Sequence, residues 1–419
     1  MKILVVGSGG REHAILWKLK QSPRVTKLYC APGNGGISEI SECVPINAMD
    51  IDRIVAFAQK EAIDMVVVAP DDPLASGMVD ALENAGIRAL GPRKNAAIIE
   101  ASKVFSKDLM KKYNIPSAAY ESFSDSKSAK EYIKTAKLPL VVKADGLALG
   151  KGVLICNTTE EALEAVSSIM DDKRFGAAGQ RIVVEEYMTG PEVSVLAFTD
   201  GKTIIPMVSS QDHKRAFDND QGLNTGGMGA FSPSRVYTKE LQEECMKTIF
   251  VPTISAMNIE GRPFKGILYF GLMLTSEGPK VLEYNARFGD PETQVVLPRL
   301  ENDLVEVFDA IIDEKLGTID LSWKENCAVC VVMASGGYPE SYIKGYEITG
   351  IESIKNLDDT IVFHAGTKKE NGKFYTNGGR VLGVTSVADD IDKAREKAYK
   401  AVSTISFKDA HFRKDIGIK

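Results

Sequence analysis

The chain has 419 residues, 44% hydrophobic and 26% charged, with a formal net charge of −6. That length exceeds one typical core and suggests about three domains. The acidic balance gives no global case for a nucleic-acid partner, and no apolar run is long enough to span a bilayer.

The six cysteines are scattered. Cys327 and Cys330 form a C-x-x-C, but inside the apolar run CAVCVVMA and with no second pair at zinc spacing, so they read as core thiols. The chain enters a strand at Lys2 with no signal-peptide pattern, and the cytoplasm is the expected compartment.

Residues 1 to about 101 alternate strands and helices. KILVVG precedes a helix over Arg11–Gln21, VTKLYCA precedes the glycine-rich APGNGG, and Ile51–Ala62 has helical periodicity. DMVVVAP reads as a buried strand, Leu74–Ala85 as one helix and IRALG as a strand. Continuous apolar strands between helices predict a parallel sheet covered on both faces. Ligands of such sheets bind beyond the carboxyl ends of the strands.

The first such end holds Gly7, Gly9 and Gly10, whose backbone could close on a phosphate at a helix start. A tight strand-to-helix turn is the plainer reading. A dinucleotide fingerprint would need glycine where Glu12 stands, which weakens a nicotinamide site. Asp71, at another strand end, is a ribose or amine contact or simply a helix cap.

A helix is expected from Ser102, with Lys103 opening it, to Tyr113. A small unit follows with helices over Ser126–Ala136 and Thr159–Met170 and strands at Leu140–Lys143, Val153–Cys156 and Arg181–Glu185. Between its first two strands lies ADGLALGKGV, with Gly150, Lys151 and Gly152, a loop able to fold over phosphates. It is not a P-loop, since Gly152 replaces Ser or Thr and a strand follows. Lys143 can reach a phosphate as a point charge. Glu185 and Glu192 could hold adenine and ribose, although paired glutamates are usually solvated.

Ser210–Pro233 is long, polar and glycine-rich, without apolar periodicity. It reads as a substrate loop with Asp212, His213, Lys214, Asn224 and Thr225; His213 is expected to bind or position. Next comes a predicted hairpin, Ile267–Leu274 and a strand ending in LEYNARFGDPETQ, turning at Glu277-Gly278-Pro279. Glu283 and Asn285 sit two apart and share a strand face. Such hard oxygen donors suit Mg²⁺ shared with phosphates, and Arg287 lies within reach of an anion there. A solvated polar face is the plainer alternative. Val295–Leu316 is amphipathic. From Asn326 the chain starts a terminal α+β unit, with strands at Cys327–Ala334 and VLGVTSVA and a helix over Ile391–Ser403. Its Arg380, after two glycines, either holds a phosphate or marks a hairpin turn.

Taken together, GSGGREHA, KADGLALGKGV, QDHKRAFDNDQGLNTGGMGAFSP, RFGDPETQ, ASGGYP and FHAGT resemble the ATP-grasp ligases, and within them the phosphoribosylamine–glycine ligase (glycinamide ribonucleotide synthetase) family of purine biosynthesis. Leu223 stands where that family more often has proline.

The resemblance implies a multidomain α/β and α+β chain. It has a Rossmann-like N-terminal substrate domain (1–101), a central ATP-grasp domain (102–122 and 189–325), a lid (123–188) and a C-terminal α+β domain (326–419). It implies that ATP is clamped with Lys103, Lys143 and the loop around Lys151 facing its phosphates. The strand at Val184 to Tyr187, with Glu185, would form the adenine hinge and Glu192 would take the ribose. Glu283 and Asn285 would hold Mg²⁺ or Mn²⁺.

The implied reaction joins glycine to 5-phosphoribosylamine through glycyl phosphate. Arg287 would stabilise the transition state, Asp212 or Asp290 would take the glycine ammonium, and the Gly7–Gly10 loop with Arg380 would take the sugar phosphate. A monomer is expected, with at most transient contact with the enzyme that supplies the amine. A related purine-pathway ligase or carboxylase is the nearest rival.

Overall fold

The first strands form the expected parallel sheet. The computed structural model, which describes residues 1–148, 152–354, 357 and 359–418, starts with β1 (Lys2–Gly7), α1 (Gly10–Leu19), β2 (Lys27–Pro32), β3 (Glu42–Cys43), α2 (Ile51–Lys60) and β4 (Met65–Val68). Then come α3 (Asp71–Ser76), α4 (Met78–Asn84), β5 (Ala89–Leu90) and α5 (Lys94–Ala101). The strand order is 3-2-1-4-5, all parallel. β1 lies at the centre with Ile3 to Val6 fully buried. The single helix expected over Leu74–Ala85 is two, because Gly77 adopts a left-handed φ of +94° and ends the first.

α6 (Lys103–Lys112) is capped by Ser102, whose Oγ accepts from Phe105 N–H at 3.1 Å. A separate unit follows: β6 (Tyr120–Phe123), α7 (Ser126–Ile133), β7 (Leu140–Ala144), β8 (Val153–Cys156), α8 (Thr159–Val166) and β9 (Ile182–Glu186). Its antiparallel sheet, in the order 6-9-7-8, therefore begins at Tyr120, just ahead of residue 123. It has its own core, including Ile133, Val142, Val166 and Val184. A unit that buries its own apolar face can move as a body.

The central sheet starts with β10 (Glu192–Asp200) and β11 (Ile204–Pro206). The polar stretch that followed as a predicted loop contains four short strands: β12 (Gln211–Asp212), β13 (Arg215–Phe217), β14 (Gln221–Asn224) and β15 (Gly229–Ser232). Then come α9 (Lys239–Cys245), α10 (Val251–Ile259), β16 (Lys265–Thr275) and β17 (Gly278–Asn285). The last two strands form the predicted hairpin in a sheet of order 11-10-16-17. Phe250, Ile254 and Met257 pack on one face. On the other, Phe288 meets Phe198 and Phe308, their ring centroids 6.3 and 6.5 Å away.

The predicted amphipathic region is α11 (Thr293–Val296) and α12 (Leu304–Ile312). The chain ends with β18 (Cys327–Ala334), β19 (Glu347–Ile348), β20 (Thr360–His364), β21 (Thr367–Glu370), β22 (Lys373–Thr376), β23 (Arg380–Ala388) and α13 (Ile391–Val402). The main C-terminal sheet has the order 12-15-18-23-20, so β12 and β15 of the polar stretch are completed by distant strands. All six cysteines are free, and Cys330 is buried as a core thiol.

The chain terminus pins this stretch from outside. The Arg413 side chain is fully buried and donates from Nη1 to the Arg215 carbonyl (3.1 Å) and to Asp220 (3.0 Å). Its Nε and Nη2 bond Asp415 at 2.7 Å each. Asn219 N–H donates to Asp415 and Lys414 N–H to Asp218. Replacing Arg413 by Met strands these carboxylates and carbonyls. The expected cost is about 3 kcal/mol of stability, read as a lower thermal midpoint, with faster amide exchange across 215–224.

Candidate active site

The hairpin end carries the predicted oxygens and guanidinium on one face. A register shift between Gly271 and Leu272 pairs Gly271 with Glu283 and Tyr269 with Asn285. Buried Tyr284 points into the core between them. The Lys214 Nζ lies 3.5 Å from Glu283 and 3.4 Å from Glu192. Lys214 is the largest influence on Glu283, and with Lys143 and Lys103 it holds that carboxyl down to about 2 against the effect of burial. Burial works against the Lys214 charge in turn, but Glu192, Glu283 and Asp212 keep it raised.

Arg287 is held by groups from two domains. Its Nη1 donates to the Phe288 carbonyl at 3.1 Å, and its Nη2 lies 3.4 Å from Asn285 Oδ1 and 3.1 Å from Glu100. Asp71, in the first turn of α3, is 3.8 Å away. Burial opposes ionisation of Asp71, but Arg287 and Arg11 outweigh it. Burial raises Glu100 to about 7 although Arg287 pulls the other way. Glu100 was missed from the sequence, because a lone glutamate beside a run of small and apolar residues carries no motif.

The lid faces this hairpin with its lysines. Lys143 donates to the Leu282 carbonyl at 3.3 Å and lies 2.9 Å from Glu185. Lys107 shares the same Glu185 oxygen at 3.2 Å. Burial lowers Lys107 to about 8, with Glu185 acting against it. The Glu185 side chain, expected on the nucleotide, is thus a buried anchor for two ammonium groups. Lys107 was also missed, although its place one helical turn after Lys103 was a usable signal. Lys103 Nζ donates to the Gly146 carbonyl at 3.2 Å, and the Ser102 hydroxyl and the Val104 N–H both donate to Asp145 of the lid. Tyr187 is exposed beyond β9. Gly152 packs so closely that a Cβ there would lie 2.8 Å from that of Ala148. Gly150 and Lys151 lie outside the described residues.

In the polar stretch, burial pushes Asp212 up to about 7, Lys214 holds it down, and Glu292 and Glu192 push further. Glu292, a third missed residue, is buried and accepts from Ser194 Oγ at 3.3 Å. That Ser194 also bonds Tyr269 OH. His213, expected to bind or position, is 2% exposed with its ring against Phe231. Thr225 donates to the Lys214 carbonyl from both N–H and Oγ1, and Asn224 pairs with Arg215. Both support the lysine from behind.

A second cleft of about 280 Å³ opens between the N- and C-terminal domains, lined by Gly9, Asn34, Asp290, Thr367, Asn377 and Arg380. Gly7 has φ +126°, and a Cβ there would sit 2.6 Å from Glu12. Glu12 takes up the space that a third fingerprint glycine would free and accepts from Gly9 N–H at 2.5 Å. Gly10 likewise lies against Gln294. Asn34 donates to the Ser8 and His364 carbonyls, joining the two domains. Arg380 donates to the Asp290 and Gly226 carbonyls and lies 3.3 Å from the Asp290 carboxylate. Asp290 also accepts from Gln294 at 2.6 Å. It therefore belongs to this cleft, rather than sitting beside Asp212.

Hard-oxygen coordination fits the first site. An ionised carboxylate and a side-chain amide share one strand face, and the described residues hold no group of three or more His, Cys, Asp and Glu able to bind a metal. Phosphate oxygens would complete such a pair. Among the described residues no helix is long and apolar enough to cross a membrane.

Comparison with known proteins gives consistent matches. Family models described as phosphoribosylglycinamide synthetase N domain, ATP-grasp (A) domain and C domain match residues 1–100, 101–293 and 328–419. A phosphoribosylamine–glycine ligase of Halalkalibacterium halodurans is 49% identical over all of this chain and 97% of its own length. The solved Thermotoga maritima phosphoribosylamine–glycine ligase superposes with a TM-score of 0.86 at 32% identity, covering 99% of this chain and all of that one. The biotin carboxylase domain of a Hydrogenobacter thermophilus 2-oxoglutarate carboxylase, solved with MgADP and bicarbonate, gives a TM-score of 0.75 at 16% identity over 98% of this chain and 91% of that one, a likeness of fold alone.

Removing the central ammonium should change the titration of its neighbour. In Lys214→Met, Asp212 should titrate above its present value of about 7, because the cation that stabilises its ionised form is gone. Carbon-13 NMR of labelled aspartate carboxyls measures this directly.

Proposed function

The chain belongs to the phosphoribosylglycinamide synthetase family, and from that premise we propose that it joins glycine to 5-phosphoribosylamine with cleavage of ATP to ADP and phosphate. The product is glycinamide ribonucleotide, an intermediate of purine synthesis. The observation that carries this reading is the meeting of Glu283, Asn285 and Arg287 with Lys103, Lys143 and Lys214 at one hairpin end. Oxygen donors for a cation, ammonium groups for phosphates and a fork for a planar anion are what acyl-phosphate formation needs.

ATP lies between the lid and the central sheet, with the backbone at Glu185 to Tyr187 beside the adenine and Glu192 near the ribose. Lys103 and Lys143 face the phosphates. Glu283 and Asn285 would hold a Mg²⁺ or Mn²⁺ ion, which would supply neutralisation of phosphate charge.

A glycine carboxylate oxygen attacks the γ-phosphorus, the bond to the bridging oxygen breaks, and ADP leaves. Phosphoryl transfer of this kind needs positioning and charge neutralisation more than a covalent protein group. The amine of 5-phosphoribosylamine then attacks the acyl carbon, loses a proton and expels phosphate. Arg287 stabilises charge on the transferred group and on the tetrahedral intermediate. Asp212 takes the glycine ammonium, and a cation there favours its ionised form. The cleft of Gly9, Gly10 and Arg380 takes the sugar phosphate, with Asp290 holding the arginine. The lid keeps water from the acyl phosphate. The same reading places the protein in the cytoplasm as a monomer, with at most transient contact with the enzyme that supplies the amine.

A coupled ADP assay tests the reading. ADP release should require both glycine and phosphoribosylamine, and release with bicarbonate in place of glycine would identify a carboxylase instead. Glu283→Ala should lower glycine-dependent turnover by about 10²-fold or more while ATP still binds. Arg287→Lys keeps the charge but loses the fork, so kcat should fall by about 10²-fold. An unchanged kcat would remove Arg287 from the chemistry.

A further inference from the structure

We infer that Glu100, contributed by the N-terminal domain, is a positioning residue that fixes the Arg287 guanidinium for the chemical step. The inference rests on the role of Arg287 just proposed. Glu100 is the penultimate residue of α5, with its side chain 6% exposed. One carboxylate oxygen accepts the Ala286 N–H at 2.7 Å. The other lies 3.1 Å from Arg287 Nη2. A single carboxylate therefore grips both the backbone of the turn after β17 and the side chain that the turn presents.

Other contacts limit the remaining freedom of the guanidinium. Nη1 is tied to the Phe288 carbonyl, and Asn285 shares Nη2. The buried Nε has no hydrogen-bond partner among the described residues, so nothing on that edge could replace Glu100 as a guide. Asp71 adds charge from 3.8 Å, too far to set an angle.

Both Glu100 oxygens are occupied, which separates this role from general-base catalysis, where a free oxygen must reach the substrate. The charged groups facing Glu100 are Arg287, Asp71, Arg11 and Lys103. α5 runs directly into Ser102 and Lys103, so the same short segment that steadies Arg287 also sets the lysine opposite it. Misplacement of a reacting group by about 1 Å can cost about 10²-fold in rate without weakening ground-state binding.

The test compares Glu100→Gln, Arg287→Lys and the double variant in the full-length protein with glycine, phosphoribosylamine and MgATP. Glu100→Gln keeps an acceptor for the Ala286 N–H and removes the ion pair. Its kcat should fall by about 10²-fold with KM for ATP unchanged and a thermal midpoint close to that of the parent. The double variant should be no slower than the slower single variant, because both changes disable one device. A parental kcat in Glu100→Gln, a loss confined to KM, or an additive double variant overturns the inference while the role of Arg287 stands. A parental kcat in Arg287→Lys removes that role instead. If Glu100→Gln does not fold, Glu100→Asp carries the test: it keeps the charge but shortens the reach by one methylene. A fall in kcat at constant KM supports the inference, and parental turnover overturns it.

Discussion

The structure depends on charge balance around a half-buried carboxylate at a strand end. Glu283 is kept ionised by Lys214 first, then by Lys143, Lys103 and Arg287. Taking any one of these charges out of water alone would be costly; together they neutralise one another. Each cation arrives on a different element: the opening turn of α6, the lid, the polar stretch and the hairpin itself. The charge balance therefore holds the domains together, and it also leaves a site whose charges suit a nucleotide and a cation.

Each of these charges is then steadied by a buried partner behind it. Glu185 stands behind Lys143 and Lys107, Glu100 behind Arg287, and Thr225 behind the Lys214 backbone. Glu100 has both carboxylate oxygens engaged inside the protein, which makes it a poor ligand and good scaffolding. His213 is also turned inward: its ring packs on Phe231 while its backbone N–H donates to the Gly229 carbonyl and its carbonyl accepts from Met228. A histidine between Asp212 and Lys214 draws attention in the sequence, yet alternation along an extended chain turns it to the opposite face from its neighbours.

The C-terminal domain contributes in a way its sequence does not announce. It completes a sheet with β12 and β15, closes the second cleft through Arg380 and the His364 carbonyl that accepts from Asn34, and pins the 215–224 hairpin through Arg413. The stretch from 210 to 233 looked structureless because its strands are two to four residues long and lack alternation. β15 is held by the edge of the longer β18 and β12 by β15, while among the described residues β13 and β14 pair only with each other and rely on the Arg413 contacts.

The sequence by itself determined the parallel N-terminal sheet, the separate small unit, the β16–β17 hairpin and the shared face of Glu283 and Asn285. These follow from local periodicity and turn residues, which act over a few positions. Its motifs also carried the family resemblance. Only the tertiary structure decided that Glu185 faces lysines, that Asp290 belongs with Arg380, and that Glu100, Lys107 and Glu292 stand behind the site. Those assignments depend on which buried charges meet in the folded chain, and a pairing between residues many tens of positions apart leaves no periodic trace along the sequence.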